Sequence, residues 1–339
     1  MSLNVSKLKI EKIQEILNSQ YGLSCNRVVT IPNGSANLYH IFSNDGDYVL
    51  KEFQNGFDIN RVKREIEITK IVKNGGIPTT DFIYSLSNKA YLLNEGNIIT
   101  LQKYINGTTK DYYSLDEKEN IEVANYLVKI IKLLNNINIQ LPSFRMDIFE
   151  LTKISKSIDR CNDLLCKCKD DVMVKALKDK KKMLLEASML DFSHINYLTI
   201  LNSHGDYNIS QFIYNDEGKI KAILDFASAK KLPIVWELLR SFIFMDSTYN
   251  NGIFSLDGLI KYIKTFNKDK ILNKYDIEYM FKVYYMFLLN SMFGFEQYIE
   301  NNNSAYYPIG MNLYYQSKYL NENMDEMTKT LQKRKMEVL

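Results

Sequence analysis

In the first third of the chain, hydrophobic residues fall in short runs rich in Val, Ile, Tyr and Phe, bounded by turn residues, which read as strands around one helix. Residues 27–31 and 38–42 read as strands flanking a small-residue turn at 33–37. Asn44-Asp45-Gly46-Asp47 is hairpin chemistry leading into a further strand at 48–53. A helix is predicted to start at Asp58, whose carboxylate suits an N-cap, and to stop before Gly75-Gly76. Strands follow near 82–85, 89–93 and 97–104, until Asn106-Gly107-Thr108 breaks the pattern. Residues 1–20 read as an amphipathic helix with Ile10, Ile13, Ile16 and Leu17 on one side.

Beyond residue 115 the period lengthens to that of a helix. The segment 115–135 carries Ile121, Ala124, Leu127, Val128, Ile131 and Leu134 at helical spacing, and 146–187 reads as a charged amphipathic pair of helices. A two-strand segment at 198–226 interrupts. Helices are predicted again over 235–246, 256–266, 276–301 and 305–333. The pattern defines an α+β fold of two lobes, a small β-rich one at 1–105 and a larger α-rich one at 106–339, with no internal repeat.

Charge and cysteine content narrow the function classes. With 43 basic residues against 40 acidic ones, a net charge of +3 gives neither nucleic acid nor a membrane surface a field to respond to. The most apolar window, 283–295, is too short to span a bilayer and contains Asn290 and Ser291. No secretory signal is read at 1–20. Cys25, Cys161, Cys166 and Cys168 do not stand at metal-ligand spacing from His40, His194 or His204, and are read as reduced thiols of a cytoplasmic protein.

The chemistry concentrates in Ser203-His204-Gly205-Asp206-Tyr207-Asn208-Ile209-Ser210-Gln211 and the hairpin ending in Ile223-Leu224-Asp225-Phe226. Asn215-Asp216-Glu217-Gly218 is a turn between strand-like runs, and a fold-back centred near Glu217 sets Asp225 within a residue or two of Gln211. Asp206, in a turn after an apolar strand, can orient or deprotonate a hydroxyl. Asp225, at the end of another, needs a cation, and Mg²⁺ supplies one. Gln211 can offer an amide oxygen to a second metal, and His204 is read as a loop-holding residue beside Asp206. Lys51 shares its strand face with Val49 and Phe53, so its ammonium faces inward and needs an anion, either phosphate or carboxylate. Glu65 borders the apolar side of the 58–73 helix, with Ile68 and Val72 at its following turns, whereas Glu67 looks outward. The 33–37 turn, with Gly34 and Ser35, can cover phosphates through backbone N–H groups, although it is glycine-poor.

In this order, Lys51 in Val49-Leu50-Lys51, Glu65 in Arg64-Glu65, the hinge-like 101–107, His204-Gly205-Asp206, Gln211 and Ile223-Leu224-Asp225-Phe226 resemble the aminoglycoside phosphotransferase and choline-kinase-like superfamily. Pro233-Ile234-Val235-Trp236-Glu237-Leu238 continues the likeness, and the layout of 77–107 is most similar to its spore-coat-associated kinase-like branch. The resemblance implies a protein-kinase-like fold that uses ATP and Mg²⁺. It casts Asp206 as catalytic base, Asp225 as metal ligand, Lys51 as binder of the α/β-phosphates and Glu65 as its orienting partner. The adenine would meet the backbone around Gln102 and Tyr104. Gln211 stands where the family usually has Asn, and Asn208 where it often has His.

A small-molecule hydroxyl is the expected acceptor. A protein kinase would carry an Arg between the His and Asp of the catalytic loop, and a longer segment with Ala-Pro-Glu after Asp225; neither is present. The alternative is a catalytically silent kinase-like scaffold, for which Gln211 and the glycine-poor loop speak. Tyr284, Tyr285, Phe293, Phe295 and Tyr298, with Glu296 and Glu300, could line an acceptor pocket of aromatic or acidic character, but at helical spacing they read first as core.

Overall fold

A computed structural model describes residues 8–31, 36–53 and 57–334. By internal contacts the chain forms two units. Met1–Lys110 with Ser210–Ala229 make the first, and Asp111–Ile209 with Lys230–Leu339 the second. The fold is α+β, a small antiparallel sheet in the first unit and a larger helical second unit.

In the first unit, α1 (Ile10–Ile16) runs on through a π-turn to Tyr21 and ends at Gly22, whose φ of 67° suits the left-handed stop. The sheet comprises β1 (Arg27–Ile31), β2 (Asn37–Ser43), β3 (Gly46–Phe53), β4 (Phe82–Ile83), β5 (Leu92–Asn94) and β6 (Asn97–Lys103), in the order β1-β2-β3-β6-β4 with β5 also on β6. Period-two alternation sorts β3 between two cores. Tyr48 and Leu50 join Ile13, Ile16 and Leu17 of the N-terminal helix on one face of the sheet. Phe53 joins Val62 and Ile66 of α2 (Ile59–Asn74) on the other. Asp58 caps α2 by accepting from the Asn60 N–H.

The second unit contains α3 (Glu117–Asn135), started by an Asp116/Glu119 capping box. α4 (Leu151–Lys167) and α5 (Asp171–Ala187) follow as a pair. β7 (Ile200–Ser203) leads into the loop that bears Asp206. The chain then contributes β8 (Phe212–Tyr214) and β9 (Ile220–Ile223) to the first unit as an antiparallel hairpin. β10 (Lys230–Pro233) returns to pair with β7 and runs directly into α6 (Ile234–Met245). α7 (Leu256–Phe266), α8 (Lys274–Asn290), α9 (Phe293–Ile299) and α10 (Tyr307–Lys333) complete it. α8 is buried over most of its surface, with Lys274, Glu278 and Lys282 along its open side, and packs on α6 and α10.

Two sequence expectations are corrected. The helix expected over 276–301 is two helices: the backbone is extended at Ser291, with φ −84° and ψ 116°, and α9 then sets Gly294 against the Gly310 backbone of α10. β10 was not foreseen, since two lysines and a proline give no strand signal and its place is fixed by pairing with β7.

Candidate active site

The first unit gathers Lys51, Glu65 and Asp225. Lys51 leaves the α2-facing side of β3, and its Nζ donates to Glu65 Oε1 at 2.9 Å and to Asp225 Oδ1 at 3.2 Å. Lys51 and Glu65 are buried, whereas the Asp225 side chain is 33% exposed. Glu67 is exposed. Burial by itself pulls the Lys51 ammonium's pKa down, but the two carboxylates outweigh it and the net direction is up. For Glu65, burial drives the carboxyl upward and Asp225 adds to the rise; Lys51 opposes both without cancelling them. Among the described residues, Glu65 Oε2 is buried with no hydrogen bond.

Asp225 reaches Lys51 because the hairpin folds back in register. Phe212 faces Ile223, the Leu224 N–H donates to the Gln211 carbonyl at 2.8 Å, and the chain turns at Asp225 with φ 58° and ψ 65°. That left-handed conformation is uncommon for any residue but glycine, and is best tolerated by Asn and Asp. α2 secures the loop beyond it. Arg61 Nε donates to the Ala227 carbonyl at 2.7 Å and Arg61 Nη2 to Ser228 Oγ at 3.0 Å, so one helix positions both Glu65 and the residues after Asp225. Gln211 is half-buried at the end of a short 3₁₀ turn.

Among the described residues no group of three or more His, Cys, Asp and Glu could hold a metal unaided. One partly exposed carboxylate, Asp225, next to the residue whose backbone pairs with Gln211, instead suits Mg²⁺, which keeps waters and borrows nucleotide phosphates as ligands. The donor set fits that ion.

Elsewhere in this unit, Gln102 lies opposite both Val49 and Phe82 within β6. The Lys103 N–H donates to the Asp81 carbonyl, the Lys103 carbonyl accepts from Thr80 Oγ1, and the Tyr104 N–H donates to the Asp47 carbonyl. The Tyr104 ring stacks on His40 at 3.8 Å. Gly34 and Ser35 lie outside the described residues.

The second unit holds Asp206 in the loop after β7, just past Gly205 with φ 78°. Glu237 of α6, fully buried, accepts from the Gly205 N–H at 3.1 Å and the Tyr207 N–H at 3.2 Å. Asp206 Oδ1 accepts from Arg240 Nη2 at 2.6 Å and from Asn208 Nδ2 at 3.0 Å. Tyr112 donates to Asn208 Oδ1 at 3.3 Å. His204 is fully buried and its Nδ1 accepts from the Asp206 N–H at 3.4 Å, a loop-holding contact.

Sequence reasoning missed Arg240 and Tyr112. Arg240 sits in the helix predicted over 235–246, to which no chemistry was assigned, although it stands one turn from Glu237 on the same face. Of the C-terminal aromatics, Tyr284, Tyr285 and Phe295 are core. Glu296 and Glu300 are engaged by Arg160, and Glu300 by Lys167 as well.

The fold is that of the aminoglycoside phosphotransferases and kindred kinases of small molecules. A spectinomycin phosphotransferase solved with ADP and spectinomycin superposes with a TM-score of 0.64 at 14% identity, over 92% of this chain and 95% of that one. An amicoumacin kinase solved with AMP-PNP and Ca²⁺ gives 0.64 at 9%, over 93% and 94%. An ethanolamine kinase of Plasmodium vivax gives 0.57 at 15%, over 90% and 87%. No protein-family model and no curated protein matches the sequence.

Proposed function

We propose that this chain is an ATP-dependent phosphotransferase that moves the γ-phosphoryl group to a hydroxyl of a small molecule, such as an aminoglycoside, an amino alcohol or a sugar. The observation that carries the reading is the Lys51 ammonium shared by Glu65 and Asp225. A strand lysine fixed by a helix glutamate, beside a metal-binding aspartate, is the arrangement that orients nucleotide phosphates in kinase-type sites. The kinship of fold with enzymes solved on ADP and AMP-PNP supports the same reading.

In this proposal the lobe 1–105 binds the nucleotide and 106–339 carries the catalytic and acceptor-binding groups. Lys51 holds the α/β-phosphates, and Gly34 and Ser35 cover them. The backbone around Gln102 and Tyr104 meets the adenine. Asp225 and Gln211 hold Mg²⁺, which when bound offsets the phosphate charge. Asp206 orients the acceptor hydroxyl and takes its proton as the oxygen bonds to the γ-phosphorus; the bond from that phosphorus to the β–γ bridging oxygen breaks, and ADP leaves. Among the described residues no helix is long and apolar enough to cross a membrane. A cytoplasmic site of action, where ATP is supplied and the free thiols stay reduced, belongs to the same proposal.

The test is a thermal-shift titration with ATP and Mg²⁺, followed by ATP consumption over a panel of hydroxylated metabolites. Nucleotide should raise the melting temperature by mass action. Asp206→Ala should abolish turnover and leave that shift nearly intact. No shift at millimolar ATP, with no turnover, would favour the catalytically silent scaffold.

A further inference from the structure

We infer that Arg240 is a positioning residue for Asp206, and that Glu237 and Arg240 together make α6 a two-point clamp on the catalytic loop. The inference rests on the reading of Asp206 as the carboxylate that meets the acceptor hydroxyl.

The clamp is placed by the chain itself. β10 pairs with β7 from Lys230↔Ser203 to Pro233↔Ile200, and α6 begins at the next residue, so the start of the helix is fixed against the strand that feeds the loop. One turn in, Glu237 accepts from the backbone N–H on either side of Asp206. Charge-assisted bonds of this kind, with the carboxylate fully buried, hold the peptide planes around the acid. Three residues further, on the same face, Arg240 takes the Asp206 side chain.

Arg240 is itself immobilised. Its side chain is 16% exposed, and its guanidinium lies 5.4 Å from the Trp236 ring and 5.0 Å from the Phe244 ring, four residues before and after it on the helix. Nη1 is buried with no hydrogen bond among the described residues, so Nη2 on Asp206 is the bond that the geometry of the fork provides. Arg240 and Asn208 both donate to Oδ1. With Oδ1 tied twice, the plane of the carboxylate is set, and with it the direction of Oδ2. A group that orients a nucleophile must be held to within about 10–20°.

The experiment compares wild type, Arg240→Met, Arg240→Lys, Arg240→Ala, Asp206→Asn and Asp206→Asn/Arg240→Met. ATP turnover is measured with the acceptor that gives the highest rate, or with water as acceptor. Arg240→Met should lower kcat by about 10- to 100-fold, the scale of a small misplacement of a catalytic group, with KM for ATP nearly unchanged. Arg240→Lys should recover part of the loss, and added methylguanidinium should raise kcat of Arg240→Ala but not of wild type. The double variant should lose no more than Asp206→Asn alone, because the arginine acts through the acid. The rescue arm does not depend on the methionine variant folding. Turnover of Arg240→Met and Arg240→Ala within about threefold of wild type, or multiplicative losses in the double variant, would overturn the inference. Undiminished turnover of Asp206→Asn would instead remove the reading beneath it.

Discussion

Replacing Lys51 by methionine tests whether the buried ion cluster is what the geometry says it is. The substitution keeps an unbranched apolar stem on β3 and removes the ammonium from Glu65 at 2.9 Å and Asp225 at 3.2 Å. At an effective dielectric constant of about 20, the closer contact alone is worth about 6 kcal/mol of Coulomb attraction, most of it offset by the desolvation of both ions. Breaking a buried pair by removing one partner costs roughly 3–5 kcal/mol. The low end applies here, because Asp225 is a third exposed and regains solvent, whereas Glu65 does not. About 3 kcal/mol corresponds to a fall in melting temperature of roughly 6–12 °C for a unit of this size.

The loss should depend on pH with a definite sign. Glu65 is held above its ordinary value in the folded protein, so its contribution to stability is greatest below the unfolded pKa and is lost as pH rises through the folded one. Without Lys51 the upward influences stand unopposed, so the deficit of the variant should widen with rising pH over the range from the ordinary glutamate value upward. Urea unfolding followed by circular dichroism across that range measures it. In the double variant Lys51→Met/Glu65→Met an apolar pair replaces the ionic one, and stability should recover above that of Lys51→Met alone. A deficit under about 1 kcal/mol at neutral pH, a flat pH dependence, or a double variant weaker than the single would refute the reasoning.

Three further outcomes follow from particular contacts. Asp225→Asn keeps a residue that tolerates φ 58°, so stability without metal should stay within about 1 kcal/mol of wild type, while the Mg²⁺-dependent part of the ATP thermal shift disappears. Lys180 is fully buried with its ammonium on the Leu288 carbonyl at 2.6 Å, and burial pulls its pKa from 10.5 to about 8. Because a depressed pKa contributes stability only above the unfolded value, and that stability is lost as pH falls through about 8, the charge costs roughly 3 kcal/mol at neutral pH. Lys180→Met should therefore be more stable by about 1–2 kcal/mol after loss of the hydrogen bond, an advantage that urea unfolding should find shrinking toward alkaline pH. Gly294→Ala would set a Cβ at 2.4 Å from the Gly310 backbone nitrogen, and should lower stability by about 1–3 kcal/mol as α9 and α10 are forced apart; an unchanged melting temperature would contradict that packing.

What the sequence made legible is what local periodicity controls. The inward direction of Lys51 and the semi-buried direction of Glu65 are consequences of periods of 2 and 3.6, and the two meet because β3 and α2 share a core face. The hairpin count placed Asp225 beside Gln211 because turn residues, closed by Asn215 and Gly218, fix register. Features set by pairing at a distance stayed hidden. β10 exists because β7 offers it an edge, and Gly294 of α9 meets Gly310, far along the chain. Arg240 lay inside the helix predicted over 235–246, and no local pattern shows that this helix meets the Asp206 loop. The left-handed turn at Asp225 likewise gives no signal, since an aspartate after a strand is common and only the fold requires that φ of it.

The ion cluster also bears on the choice between an enzyme and an inert scaffold. A core built only for stability does better with apolar residues than with a lysine divided between two carboxylates, one of which keeps a buried oxygen with no hydrogen bond among the described residues. Asp225 adds a backbone conformation that costs of order 1 kcal/mol or more for a residue with a side chain. Arg61, the next cation of α2, is directed to Ala227 and Ser228, where it holds the loop after Asp225. A scaffold would shed such costs by substitution at Lys51, Glu65 or Asp225 without disturbing either core face. Their joint presence, in a geometry that leaves the aspartate a third open, is what a site needs if it is to receive a metal and a phosphate chain.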